Sequence, residues 1–301
     1  MSDRDELRSR LSRVGVWTFA FDSLPVDRVR DAAAEIESMG YSALWIAEGS
    51  RSRDVFAHLS LLASATTDIA ICSGIANITA RQPEVMQAGA VTLADAFGDR
   101  IVLGIGVGHE YSTEARGLEW SGPVGRMSAY LDRMDAATSL PTPPIGTRRM
   151  LAALGPRMLR LSAERALGAH TYFVPVEHTV SARRTLGSEP VLAVELTAVL
   201  ETDAARARTI ARGWARHYLE LPNYANNWRR SGYAEHDVAG DGSDQLIDAG
   251  IACGNAKAIA LRVREHLDAG ADHVCLQVIG EDDTDAQLAA LGELAKVVPI
   301  G

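Results

Sequence analysis

The sequence predicts an α/β fold, a single (β/α)8 TIM barrel, and three observations lead to this class. Short runs rich in β-branched residues alternate with longer segments of helical periodicity, which is typical of βα units in a parallel sheet. The chain contains eight such runs, the number that a closed barrel needs. No low-complexity tract or linker divides the 301 residues, so we expect one domain over residues 1–301.

The predicted strands are short and apolar. They are Val14–Phe19, Ala43–Ala47, Ile69–Ile75, Ile101–Ile105, Met150–Leu154, His170–Val174, Val191–Val199 and His273–Ile279. The segment after the first strand shows helical spacing in Val26, Val29 and Ile36, with Pro25 at its start and Gly40 at its end. A unit with the same layout of helix, glycine, turn and strand closes the chain.

Two connections are too long for simple crossovers. Residues 106–149 follow the fourth predicted strand and residues 200–271 follow the seventh. The first of them ends in a turn-rich segment, 139–147, and the chain begins with an extension over 1–13. Long βα loops project from the C-terminal face of a barrel, where active sites form. We therefore expect both connections to surround the functional site.

Aromatic residues in these connections leave two interpretations open. Trp120, Tyr224 and Trp228 are expected either to pack within the connections or to form the wall of a substrate pocket.

The charge balance excludes several classes of partner. The formal net charge is −9 and the isoelectric point is about 5.4, which argues against nucleic acid and anionic membrane surfaces. Lys257 and Lys296 are the only lysines, and both lie in helix-like segments. Schiff-base and pyridoxal chemistry therefore lacks a suitable lysine. A small-molecule substrate is the expected partner.

The remaining patterns point to a protein of the cytoplasm without a metal. Three dispersed cysteines form no CxxC, no apolar run reaches membrane-spanning length, and the charged N-terminus lacks a signal-peptide core. The histidines form no HExxH or HxH. His58, His217, His236 and His266 are expected on the surface of helices or loops.

The segment Gly104–Glu110 leaves the fourth predicted strand and contains three glycines followed by two titratable residues. The third glycine falls at the wrong spacing for a dinucleotide fingerprint. Such a backbone can approach a flat ring closely, and His109 and Glu110 would then lie at the barrel mouth. The alternative is an ordinary tight turn.

A second candidate, Leu154–Met158, joins the fifth predicted strand to a helix. Gly155 and Pro156 leave the first backbone N–H groups of that helix available to an anion. The alternative is an ordinary helix cap.

Other strand ends carry single candidates. Gly74 indicates a bulge or a close approach, or a plain strand end with Asn77 capping the turn. Glu48 could orient a ligand or pair with a nearby arginine. His178 follows the sixth predicted strand, and each of these residues alone is typical of a solvated loop as well.

The motifs GVWTFAFD, GYSALWIAE, SGIANITARQP, RIVLGIGVGHE and LAALGPRM, in this order, resemble the bacterial luciferase-like monooxygenase superfamily. More narrowly, the chain is similar to the actinobacterial branch of oxidoreductases that use the deazaflavin coenzyme F420. The resemblance extends from about Val14 to Gly280. It implies a luciferase-like barrel with the isoalloxazine-like ring at the C-terminal mouth.

The resemblance also implies roles for individual residues. The bond Gly74–Ile75 matches a non-proline cis peptide that supports the ring, Asn77 matches a residue that hydrogen-bonds it, and Glu48 matches an acidic or polar position. The residues that would contact the cofactor along the two later strands are Gly106, Val107 and His109 at the ring and Leu154, Gly155, Pro156, Arg157 and Met158 at the phosphate. We expect Arg157, with Arg81, to offset the cofactor's negative charge.

The chain departs from the sugar-phosphate dehydrogenases of this superfamily at two positions. His109 replaces the acid that donates the proton there, and Gly49 replaces a histidine. We therefore predict His109 as the acid/base group, because imidazole titrates near neutral pH, with Glu110 and His178 as alternatives.

The resemblance leaves three functions open. The first is hydride transfer between coenzyme F420 and a small organic substrate. The second is an FMN-dependent, oxygen-using monooxygenase, and the third is a non-catalytic flavin-binding barrel. Family members commonly dimerise, so we expect a homodimer.

Overall fold

The computed structural model describes residues 1–49, 51–138, 146–281 and 283–300, and its centre is a closed barrel of parallel strands. The strand order is β10-β1-β2-β3-β5-β6-β7-β8, and β8 pairs with β10 to close the ring. Closure places the carboxyl ends of all eight strands at one rim. The predicted fold class is confirmed.

All eight predicted strands are present, together with two short ones that the sequence did not predict, β4 and β9. The bounds are β1 Val14–Thr18, β2 Ala43–Ile46, β3 Ala70–Ser73, β4 Ala76–Asn77, β5 Ile101–Gly106, β6 Arg148–Ala152, β7 Gly168–Thr171, β8 Val191–Val199, β9 Ile251–Cys253 and β10 His273–Val278.

The helices alternate with the strands and cover the outside of the barrel. Their bounds are α1 Asp3–Leu11, α2 Val26–Ser38, α3 Val55–Ala65, α4 Pro83–Phe97, α5 Glu110–Glu114, α6 Pro123–Ala136, α7 Pro156–Arg165, α8 Val176–Leu186, α9 Ala204–Leu219, α10 Pro222–Arg230, α11 Glu235–Val238, α12 Asp244–Gly250, α13 Ala256–Asp268 and α14 Thr284–Ala295. None of the helices in the described ranges is long and apolar enough to span a membrane.

The two long connections lie where the sequence predicts them. Helices α5 and α6 lie between β5 and β6, and helices α9 to α13 together with β9 lie between β8 and β10. The turn-rich segment predicted at 139–147 falls mostly outside the described residues. At the opposite end of the chain, α1 buries Leu7 and Leu11 in the same cluster as the barrel interior.

The bounds of β6 and β7 differ from the prediction, whereas β8 has the predicted bounds, Val191–Val199. The strand predicted at His170–Val174 is β7, which ends at Thr171 because Phe173 has a φ of +51°. A non-glycine residue in the left-handed region cannot continue an extended strand. The strand predicted at Met150–Leu154 begins two residues earlier, at Arg148, because Arg148 and Arg149 pair with β5.

The barrel interior contains aromatic and histidine side chains rather than aliphatic ones alone. Trp45 stacks on His170, with ring centroids 4.7 Å apart and planes at 17°. Its indole Nε1 donates to Nε2 of His273 at 3.1 Å. Buried polar rings of this kind are tolerated when their nitrogen atoms find partners.

The expected surface position is wrong for two histidines. His58 and His266 are buried, with relative exposures of 1% and 0%. His266 lies on the inner face of α13 and bonds through Nδ1 to the Thr179 hydroxyl at 2.9 Å. Tertiary packing, not helix periodicity, selects which face of these helices becomes buried.

Burial lowers the pKa of four core histidines far below the ordinary value of 6.5. The pKa falls to about 4 for His58 and His273 and to about 3 for His170 and His266. Burial acts in the opposite direction on Glu195, whose pKa it raises to about 7 against hydrogen bonds from Thr197 and Phe173.

These shifts predict that the protein loses stability in mild acid. Between pH 6.5 and 4 the unfolded chain binds histidine protons that the folded chain excludes, so each histidine lowers the free energy of unfolding by up to about 1.4 kcal/mol per pH unit. Glu195 has the opposite sign, because its stabilising contribution is lost as the pH rises through 7.

Urea unfolding of wild type and His266→Gln at several pH values tests this prediction. In His266→Gln the slope of the free energy of unfolding against pH should be smaller by the equivalent of one bound proton, about 1.4 kcal/mol per pH unit. His236→Gln is the matched control, because the side chain of His236 is 83% exposed. Equal slopes in wild type and His266→Gln would contradict the prediction.

Candidate active site

The carboxyl rim of the barrel brings three loops together, and each continues a strand directly. They are the segment from β3 to β4, the turn from β5 into α5, and the turn from β6 into α7. These loops contain most of the residues that the sequence singles out.

The glycines of the β5 segment make room for the β3–β4 segment. A Cβ atom at Gly104 would lie 2.0 Å from the carbonyl oxygen of Ser73, and one at Gly106 would lie 2.5 Å from Cδ1 of Ile75. A Cβ atom at Gly108 would lie 2.4 Å from Nδ2 of Asn77. No side chain fits at Gly104, where the obstacle is backbone, whereas a side chain at Gly106 or Gly108 would have to displace Ile75 or Asn77. Gly108 also has a φ of +71°, which favours glycine.

The peptide bond between Gly74 and Ile75 is cis, which confirms what the resemblance implies. The Ile75 carbonyl accepts a hydrogen bond from the Glu48 N–H at 3.1 Å, and the Gly74 N–H donates to the Ile46 carbonyl at 2.6 Å. These bonds fix the segment against the end of β2.

Glu48 binds protein groups with both carboxylate oxygens. Its side chain forms a two-point ion pair with Arg81, and the two side chains are only 7% and 9% exposed. Oε2 also accepts the backbone N–H of Asn77 at 2.8 Å. Arg81 further contacts Asp54 at 3.3 Å and lies over the ring of Phe56. The charge of Arg81 is therefore neutralised within the protein.

Asn77 lies at the end of β4 with a relative exposure of 4%. Its Oδ1 accepts from the backbone N–H of Thr79 at 2.9 Å and from the Thr79 hydroxyl at 2.7 Å. The amide nitrogen faces the Gly108 backbone, so the orientation of this side chain is set from both sides.

His109 ends the β5 segment and caps α5. Its ring stacks on Tyr111 with centroids 5.7 Å apart and planes at 6°, and it lies 5.9 Å from Tyr224. Burial, and then the nearby His217, lower the pKa of His109, whereas a hydrogen bond with Asn223 opposes the shift. The neutral imidazole therefore predominates at neutral pH.

The two alternative acid/base residues have different surroundings. Glu110 is exposed at the first turn of α5. His178 lies on α8 with 4% exposure, and its Nε2 donates to the Leu154 carbonyl at 2.8 Å. His178 thus holds the β6–α7 turn through a hydrogen bond from α8.

That turn leads into α7, which begins without a side-chain cap. Gly155 is the N-cap residue and Pro156 the first helical residue, so the amino end of α7 is open. Met158 is buried and Arg157 is exposed.

A polar stripe on α10 connects the β5 turn with the β6–α7 turn. Asn223 acts to raise the pKa of His109, and the guanidinium of Arg230 lies near Gly155, 3.7 Å from where a Cβ atom of Gly155 would be. Between them, Asn227 is 1% exposed; its Oδ1 accepts from Arg230 at 3.2 Å, and its Nδ2 has no partner among the described residues. We call Asn223, Asn227 and Arg230 the α10 stripe.

The sequence could have indicated this stripe. Its members are spaced i, i+4 and i+7, so they share one face of a helix. The adjacent face carries Tyr224 and Trp228 into the core, where Trp228 packs against Phe173. Of the three aromatic residues left open above, Trp228 is therefore a packing residue and Tyr224 lies beside His109.

The floor of the mouth contains a second polar group that the sequence did not indicate. Tyr172 donates to Oε1 of Gln277 at 2.7 Å, and Tyr218 lies 2.9 Å from the Tyr172 oxygen. Because Tyr172 has already used its proton, Tyr218 is the donor in that contact. Glu195 accepts from Phe173 N–H at 3.0 Å and from the Thr197 hydroxyl at 2.7 Å.

Two surface clefts lie elsewhere, at volumes of about 260 and 340 Å³. One lies beside β9 and α13, and the other beside the end of α9. Within the described ranges, no group of histidine, cysteine and acidic residues is arranged to hold a metal ion.

The fold is a (β/α)8 barrel, and the candidate residues lie at the carboxyl ends of its strands. The family model for the luciferase-like monooxygenases matches residues 12–273. The chain therefore belongs to the luciferase-like monooxygenase family.

Individual relatives are distant in sequence but similar in length. A 5,10-methylenetetrahydromethanopterin reductase of Methanolobus tindarius is 22% identical over 302 residues, covering 85% of this chain and 93% of that protein. An F420-dependent secondary alcohol dehydrogenase, solved with an F420-acetone adduct, has the same fold, with a TM-score of 0.77, 14% identity and coverage of 96% and 98%.

A third protein with this fold carries a different cofactor. The oxygenating constituent of 3,6-diketocamphane monooxygenase from Pseudomonas putida, solved with FMN, has a TM-score of 0.73 at 14% identity and covers 95% of this chain and 97% of that one.

The ion pair of Glu48 predicts a local loss of stability. Glu48→Gln removes one charge from a pair that is almost fully buried, so the free energy of unfolding should fall by about 2–3 kcal/mol. Glu84→Gln is the matched control, because its pair with Arg133 is half exposed and should contribute less than about 1 kcal/mol. Urea unfolding that shows equal losses for both variants would refute the assignment.

Proposed function

We propose that this protein is a coenzyme F420-dependent oxidoreductase that transfers a hydride between the deazaflavin and a small organic substrate. The observation that carries the proposal is the α10 stripe, which links His109 with the open amino end of α7. The alcohol dehydrogenase with the same fold is named as F420-dependent, and the Methanolobus relative is named as a reductase.

The residues at the rim fit such a cofactor. Gly74, Ile75, Gly106 and Val107, at the ends of β3 and β5, would support the ring, with Asn77 oriented beside it. The segment Leu154–Met158, with Gly155, Pro156 and Arg157, would hold the phosphate through backbone N–H groups at the start of α7. The partnerless Nδ2 of buried Asn227 is an additional donor that a polar ligand would satisfy.

The bound cofactor supplies the hydride chemistry, and the protein supplies orientation and a proton. We assign the proton to His109, which is neutral at neutral pH and is the titratable group between the glycine segment and the α10 stripe. Asn223 positions its ring. Glu110 is too exposed to be our first choice, and His178 is engaged with the Leu154 carbonyl.

Glu48 has a positioning role in this proposal. Its carboxylate holds Arg81 and the Asn77 N–H, so it orients the ring-facing segment through other residues. Tyr172 and Tyr218 both donate their hydroxyl protons within the protein. In this proposal they pack beneath the site and donate no proton to the substrate.

The second candidate is an FMN-dependent monooxygenase, because a protein with the same fold was solved with FMN. Fluorescence titration of the purified protein with F420 and with FMN separates the two. Tight FMN binding without an F420 response would overturn our proposal. Binding of F420 with no turnover across alcohols, ketones and imines would instead favour a non-catalytic barrel.

His109→Ala should lower turnover about 10²–10⁴-fold while cofactor affinity changes little, because the imidazole supplies a proton and not the main binding contacts. Steady-state turnover and a cofactor titration on the same variant check this. Near-normal turnover with cofactor bound would refute the assignment of His109.

Asn223→Ala tests the positioning of His109. Asn223 raises the pKa of His109, so the Asn223→Ala substitution should lower that pKa. In a plot of turnover against pH, the limb that reports His109 should therefore move to lower pH. Asn226→Ala, one turn further on and exposed, is the control. An unchanged pH profile in Asn223→Ala would contradict the positioning role.

A further inference from the structure

The side chain of Tyr224 extends from α10 into a group of rings at the barrel mouth. Its ring centroid lies 5.9 Å from that of His109, 6.2 Å from that of Tyr172 and 5.1 Å from that of Tyr218, which it meets edge-on at 81°. The residue is only 8% exposed. These contacts hold the Tyr224 ring beside the group that we assign as acid/base.

The hydroxyl of Tyr224 has no hydrogen-bond partner among the described residues, although the residue is buried. The other buried tyrosines in those ranges are all bonded: Tyr41 and Tyr130 donate to backbone carbonyls at 2.8 and 2.9 Å, and Tyr218 donates to Tyr172 at 2.9 Å. A buried donor without an acceptor is costly, and an oxygen atom of a ligand would satisfy it.

The neighbours of this hydroxyl show where it points. Burial raises the pKa of Tyr224 well above its ordinary value of 10, and Tyr218, Glu195 and Tyr111 raise it further. Tyr218 and Glu195 belong to the floor of the mouth, whereas Tyr111 belongs to the rim, where its ring stacks on His109. Groups of both the floor and the rim act on the hydroxyl, which therefore lies in the mouth, on the same side as His109.

The raised pKa also decides what the hydroxyl can do there. Tyr224 keeps its proton at any pH near neutrality, so it can donate a hydrogen bond to a ligand but cannot serve as the base. A donor that stays in place and protonated stabilises negative charge as it develops on a neighbouring oxygen atom.

We infer that the Tyr224 hydroxyl binds the reacting oxygen atom of the substrate beside His109 and thereby selects alcohols and their carbonyl products. The inference rests on the proposed function and names its substrate class. During alcohol oxidation the O–H bond breaks and His109 takes the proton, the C–H bond breaks and its hydride passes to the bound cofactor, and the C=O bond forms. Tyr224 keeps its own proton and donates to the oxygen throughout.

The binding test uses cyclohexanone and methylenecyclohexane, which have the same shape and differ in the oxygen atom. Tryptophan fluorescence follows the titration of wild type, Tyr224→Phe and Tyr233→Phe with each ligand, with and without oxidised F420, which cannot reduce the ketone. Tyr233→Phe is the matched control, because the ring of Tyr233 packs edge-on against Trp228 and its hydroxyl is acted on by Glu177 and Arg262 instead.

Wild type and Tyr233→Phe should bind the ketone about tenfold more tightly than the hydrocarbon, because one hydrogen bond distinguishes the two ligands. Tyr224→Phe should bind both alike, since its ring stays in place and only the donor is lost. Wild type that binds both equally or binds neither would overturn the inference, and so would a preference that Tyr224→Phe retains.

Turnover of small secondary alcohols with F420 gives a second readout. In Tyr224→Phe kcat/KM should fall about 10²-fold at every pH from about 6 to 9, with F420 affinity within about twofold of wild type, because the lost donor acts on the substrate and does not titrate in this range. The limb of the pH profile that reports His109 should not move. A shifted limb would show that Tyr224 acts only by packing against His109, and would overturn the inference.

The inference and the proposed function can fail separately. If wild type binds F420 and turns over no alcohol or carbonyl compound, the inference is wrong whatever other reaction the protein performs. If wild type binds neither F420 nor FMN, the proposed function fails, and the comparison of the ketone with the hydrocarbon in the protein alone still decides whether Tyr224 binds an oxygen atom.

Discussion

The close crossing of the β3–β4 segment over β5 is the contact on which the rest of the site depends. Alternate glycines, Gly104, Gly106 and Gly108, leave no space for a Cβ atom, and the neighbouring backbone, Ile75 and Asn77 occupy that volume. Glu48 then binds the Asn77 N–H and Arg81 from the adjacent strand end. The loops at the rim are thus held by packing and hydrogen bonds that do not require a ligand.

Several polar groups inside the barrel have hydrogen-bond partners within the protein, whereas some polar groups at the rim do not. Rings inside the barrel, such as Trp45 and His273, satisfy one another and stabilise the interior. At the rim, by contrast, Arg230 lacks a carboxylate among the described residues and Asn227 retains partnerless donors. In a chain of net charge −9, the surroundings of Arg230 thus differ in charge from the surface as a whole.

Much of the fold and part of the candidate site could be predicted before the structure was known. The alternation of apolar runs and helical segments predicted the eight barrel strands, and the family motifs implied the cis bond at Gly74–Ile75. The ends of β7 could not be predicted, because the left-handed Phe173 is held by Glu195, which is distant in sequence. The burial of His58 and His266 was missed for the same reason, since non-local packing decides it.

The sequence by itself therefore determined the fold class, the rim segments and the position of His109, because strand periodicity and glycine patterns act over a few residues. Only the tertiary structure decided the roles of the charged groups. It paired Arg81 with Glu48, His178 with the Leu154 carbonyl and Arg230 with the Asn227 side chain. Partners of charged side chains are chosen by proximity in space, and α10 reaches β5 and α7 only once the barrel has closed.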